Sequence, residues 1–143
     1  MKDTNIIIML KDKDTGEMTE EAMNCSIYGD YEHYIDGAYA VKNDDGDFTT
    51  HIKLTVGKER TVENWQFDAI YDYYDESALE NLVESFKEVE DVSDPMWEVS
   101  FTFSPDKFEF ILEKRINGIL DAHKAEIEAV FDGIEEHKAE YEV

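Results

Sequence analysis

The stretch Asp94–Glu113 constrains the fold more than any other part of the chain. Trp97, Val99, Phe101 and Phe103 alternate with Glu98, Ser100 and Thr102, so apolar and polar side chains leave a strand on opposite faces. Ser104-Pro105-Asp106-Lys107 has type I turn chemistry, and Phe108, Phe110 and Leu112 resume the alternation. The expectation is a hairpin with one apolar face. Burial at about 25 cal/mol per Å² draws the remaining elements onto such a face. A competing pattern starts a helix at Ser104-Pro105, with Phe108, Ile111, Leu112 and Ile116 on one stripe. The hairpin is preferred because a helix takes Phe110 off that stripe.

The rest of the chain shows the same two periods. Asn5–Lys11 is a β-branched run that suits a buried strand, and Thr19–Tyr28 is its partner across the turn at Gly16. Ala38–Lys42 and Phe48–Val56 flank the tight turn Asn43–Asp47 and form a second hairpin. Thr61–Tyr73 reads as a strand, with Trp65, Phe67, Ala69, Tyr71 and Tyr73 inward. Asp75 or Ser77 caps a helix carrying Leu79, Leu82, Val83, Phe86 and Val89. From Lys114 on, Ile116, Ile119, Leu120, His123, Ile127, Val130, Phe131, Ile134 and Tyr141 fall at helical spacing. The predicted fold is a single α+β domain over 1–143. Its mostly antiparallel sheet has six to seven strands, with helices at about 76–90 and 114–140 on one face.

The charge balance excludes some functions. With 13 basic and 36 acidic residues the net charge is -23, and such a field repels nucleic acid and anionic membranes while attracting basic proteins. Frequent lysine and isoleucine argue against adaptation to high salt as its cause. Ile6–Leu10, the longest apolar run, is too short for a signal-peptide core or a membrane span, so residence in the cytoplasm is expected. Cys25 is the single cysteine, which rules out an intrachain disulfide and a thiol-rich metal site.

Motifs that carry chemistry are few. Neither Gly16 nor Gly46 sits sixth in a calcium loop with oxygen donors in register. His-Glu-x-x-His, Gly-x-Ser-x-Gly and phosphate-binding glycine loops are missing. No catalytic residue, metal ligand set or cofactor is predicted. His123, on the apolar stripe, reads as a core histidine. His33, among Asp30, Glu32 and Asp36, is the centre of an alternative reading as a cation-dependent protein or enzyme.

Tyrosine interleaved with acid is the combination that points to binding. One cluster comprises Tyr28, Asp30, Tyr31, Glu32, His33, Tyr34 and Asp36; the other contributes Asp72, Tyr74 and Asp75. Tyrosine gives large contact area at small entropic cost, and neighbouring carboxylates select Lys or Arg on a partner. A non-enzymatic module that binds a basic protein is therefore favoured. An immunity-type or nucleic-acid-mimicking inhibitor of a basic toxin or nuclease is one form of it. His123–Glu128 and His137–Glu142 repeat a motif two heptads apart, which leaves a homodimer through the last helix open.

Val62–Asp75 and Trp97–Phe103 resemble segments of a family of small, acidic, uncharacterised bacterial proteins seen mainly in Firmicutes. The likeness covers about a seventh of the chain. That family has no assigned activity, so it implies no site residue. The Trp97–Phe110 hairpin is also similar to one in immunity proteins of polymorphic toxin systems, with Lys107 where glycine often follows the turn aspartate.

Overall fold

The computed structural model describes residues 4–12, 14–27, 31–58, 60–103 and 109–141. Strands β1 (Thr4–Lys11), β2 (Met18–Ile27), β3 (Ile35–Lys42) and β4 (Phe48–Thr55) come first, followed by helix α1 (Asn64–Tyr73). The short strand β5 (Ser85–Glu88), β6 (Met96–Phe103), the long helix α2 (Glu109–Ile134) and the single turn α3 (Lys138–Tyr141) complete the order. The sheet runs β2-β1-β3-β4-β6-β5, with every pair antiparallel except β1–β3. The class is thus α+β with a mostly antiparallel sheet. Five strands are full length and β5 adds four residues at one edge, against the six to seven expected.

Register explains why one face became the core. Ile52 lies between Ala38 and Val99, Leu54 between Ile35 and Trp97, and Thr50 between Ala40 and Phe101. Ile52, Leu54, Trp97, Val99 and Phe101 are fully buried. Alternation sends the intervening residues to the opposite face. There Lys11 sits over the Tyr39 ring, Tyr39 stacks on His51, and Glu98 lies between His51 and Lys87. Both hairpins of the first half form as expected, and Gly16 takes a φ of 78° in the β1–β2 turn.

Three expected elements differ. Thr61–Tyr73 is not a strand: Asn64–Tyr73 is helical. Trp65, Ala69 and Ile70, on one helical stripe, are buried, and this burial outweighs an alternation that fitted a strand equally well. The helix starts where the Gln66 side chain accepts from the Glu63 N–H at 2.9 Å. The helix expected at 76–90 is also replaced. Glu76–Ala78 is a 3-10 turn capped by Asp75, and Ser85–Glu88 pairs with β6. Without β5 that side of β6 would expose its ladder groups. The third change is at 109–113, which open α2 instead of forming a return strand. The long helical stripe then extends upstream through Leu112 and Ile116, both fully buried; the turn at 104–108 lies outside the described residues. The last helix ends at Ile134 and continues as a 3-10 turn and α3, not as one helix to 140.

Packing of α1 and α2 on the inner face is direct. Tyr71 and Tyr74 of the α1 segment meet the Trp97 ring at 5.6 and 4.5 Å, while His123 of α2 meets it at 5.5 Å. The apolar stripe from Ile116 to Ile134 is therefore consumed within the chain.

Candidate functional site

The first tyrosine cluster does not form one surface. Tyr28 and Asp30 lie outside the described residues, and Tyr31–Tyr34 is a 3-10 turn. Tyr34 is buried, with its ring edge-on to His123 at 5.7 Å. Tyr31 donates its hydroxyl to Asp121 Oδ1 at 2.6 Å. Glu32 and His33 are half-buried, and the His33 carbonyl accepts from the Lys58 N–H at 3.0 Å. Asp36 is exposed. Among the described residues no group of three or more His, Cys, Asp or Glu side chains is placed to hold a metal ion.

The second cluster is inverted relative to its reading as a strand. Alternation put Tyr73 inside and Tyr74 outside; the helix ending at Tyr73 reverses them. Tyr74 is buried, whereas Tyr73 is 42% exposed. The Tyr74 hydroxyl lies 2.8 Å from His123 Nδ1, and His123 Nε2 lies 2.6 Å from the Thr55 carbonyl. A carbonyl only accepts, so Nε2 carries the proton and Nδ1 accepts from Tyr74. Burial pushes the His123 pKa down to about 4, against the opposing hydrogen bond to Thr55, and burial pushes the Tyr74 hydroxyl up. Every polar group of this pair is used internally. It is a core feature, as the sequence suggested for His123.

The outward turn of Tyr73 creates a site that alternation concealed. Its ring stacks on His137 at 4.6 Å, and the two border a groove of about 230 Å³ between the ends of α1 and α2. Val130 and Ile134 give the groove an apolar floor, while Glu126 and Glu136 supply carboxylates. His137 Nδ1 is 2.6 Å from Glu140 Oε2. Burial raises the Glu126 carboxyl above the ordinary range; the Asp75 N–H lowers it and the Asp75 charge raises it. Asp72 stands nearby and accepts the Tyr141 hydroxyl at 2.7 Å. Asp72 and Asp75 thus belong to this neighbourhood, and Tyr74 does not. Glu126 and Glu136 carry no sequence signal. Tyr73, four residues from Ala69 and eight from Trp65, shares their helical face, so its exposure comes from the chain leaving the helix at Tyr74 and not from spacing.

A larger cleft of about 420 Å³ lies at the end of the sheet where β3 starts, β4 ends and β6 starts. Asp36, Lys58, Arg60 and Asp94 line it together with Val56, Val92 and Pro95. Gly57 holds its floor at a φ of 105°, where an added Cβ would stand 3.2 Å from the Tyr34 ring. No helix among the described residues is long and apolar enough to cross a membrane.

No curated protein and no solved structure matches the chain. A family model described as a family of unknown function (DUF6762) matches residues 1–142. The chain therefore belongs to that family, whose description carries no activity to set against the two concavities.

Proposed function

We propose that this protein is a non-enzymatic interaction module whose groove at Tyr73 takes a Lys or Arg side chain from a basic partner protein. One observation carries the reading: an exposed aromatic ring stands beside Glu126 and Glu136 above an apolar floor. A long basic side chain has complementary parts. Its methylene stem covers apolar surface, its charge meets carboxylate, and cations are attracted to aromatic rings. The surrounding surface supports the same partner class, since Asp68, Asp72, Asp75, Glu76, Asp132 and Glu135 are all exposed on or beside the two helices. Such a field speeds encounter with a positive surface and weakens when salt screens it. The resemblance to an immunity-protein hairpin gives this reading no added support, because the return strand is replaced by α2.

Affinity capture from native lysate at low and high salt tests the proposal. A basic partner is expected, retained at low salt and released at about 0.5 M, where the screening length is only a few Å. Tyr73→Ala and the pair Glu126→Gln, Glu136→Gln should each reduce capture at least tenfold. Salt-independent capture of a neutral partner, or full capture by Tyr73→Ala, would sink the idea.

A further inference from the structure

We propose that the cleft at the end of the sheet binds a small zwitterion, a free α-amino acid with an aliphatic side chain. The chain has 36 acidic and 13 basic residues, yet this concavity gathers two of each sign, Asp36 and Asp94 with Lys58 and Arg60. Among the described residues no hydrogen bond or ion pair engages the side chains of Asp36, Lys58 or Asp94. Arg60 is held in place through its guanidinium, 4.7 Å from the Phe131 ring. A dianion would meet the two carboxylates and a simple cation would meet Lys58 and Arg60, so neither suits the lining. A molecule with one carboxylate and one ammonium matches both pairs. Val56, Val92 and Pro95 give its side chain an apolar wall, and a volume of about 420 Å³ lies within the range of small-molecule sites.

The wall is also preorganised. Tyr71 donates its hydroxyl to the Val89 carbonyl at 3.0 Å and accepts from the Met96 N–H at 3.0 Å. One phenol thereby clamps both ends of the loop that carries Val92, Asp94 and Pro95. Within that loop Asp91 holds a φ of 59°, a left-handed conformation that aspartate tolerates better than most residues, and Pro95 is buried. A loop fixed before binding loses little freedom when a ligand arrives.

Calorimetric titration of the full chain with leucine, 4-methylpentanoate and 3-methylbutylamine tests the assignment. Leucine should bind, and the two analogues, each lacking one charge, should bind at least tenfold more weakly. Lys58 and Asp94 are exposed, so Lys58→Gln and Asp94→Asn should keep the circular dichroism spectrum and each weaken leucine binding at least tenfold. Equal binding of the three compounds, binding unchanged in both variants, or no heat with leucine, isoleucine, valine or methionine would overturn it. Tyr73 lies outside the lining residues, so failure here and failure of the partner-binding reading are separable.

Discussion

His123 shows how one buried ring ties local sequence to stability. Its neutral form bridges Tyr74 and the Thr55 carbonyl, and burial holds its pKa at about 4. The unfolded ring titrates near 6.5, so acid protonates the unfolded chain first. Stability supplied by the neutral ring is complete above about pH 6.5 and is lost as pH falls toward 4. Glutamine can imitate the neutral ring, donating to Thr55 and accepting from Tyr74. Urea unfolding between pH 7 and 4 should therefore show a smaller loss for His123→Gln than for the parent chain, by about 3 kcal/mol. An identical loss in both would refute the burial assignment. The apolar stripe made a core histidine legible from sequence, whereas its two partners, at Thr55 and Tyr74, were not. They come from β4 and from the end of α1, and no local pattern brings those together.

At the scale of elements, α1 is the most informative difference from expectation. Trp65, Phe67, Ala69, Tyr71 and Tyr73 satisfy a period of two, while Trp65, Ala69, Ile70 and Tyr74 satisfy a helical period. Local pattern cannot separate them. The helix wins because it places Ile70 and Tyr74 inside together and is held at its start by Glu63 and Gln66. Glu63 also accepts from the Trp65 indole N–H at 2.9 Å. Glu63→Ala should cost about 1 kcal/mol, the usual net worth of one hydrogen bond, here the one from the Trp65 indole, measured as a lower urea midpoint at unchanged slope. β5 makes the complementary point: Leu79, Leu82, Val83 and Phe86 fit a helix, but Phe86 lies opposite Val99 on the edge of β6. Pairing that edge is a demand of the sheet, invisible in the segment itself.

The whole molecule carries a net charge of -23, and mutual repulsion opposes compaction unless it is screened. The melting temperature should rise between 10 mM and 0.5 M sodium chloride, while partner capture falls over the same range. A melting temperature that does not respond to salt would mean that the helical surface disperses its carboxylates enough to avoid repulsion. Sequence alone determined what depends on neighbours along the chain: β1, both first-half hairpins, the buried alternation of β6, the long stripe of α2 and the sign of the surface. Tertiary structure decided the identity of Asn64–Tyr73, the use of Ser85–Glu88 as an edge strand and the entry into α2 at Glu109. It also decided which of Tyr73 and Tyr74 meets solvent. The physical reason is that short apolar runs fit two periods with nearly equal local energy. What separates those periods is the surface they cover, the ring of Trp97 and the open edge of β6, and both lie far away in sequence.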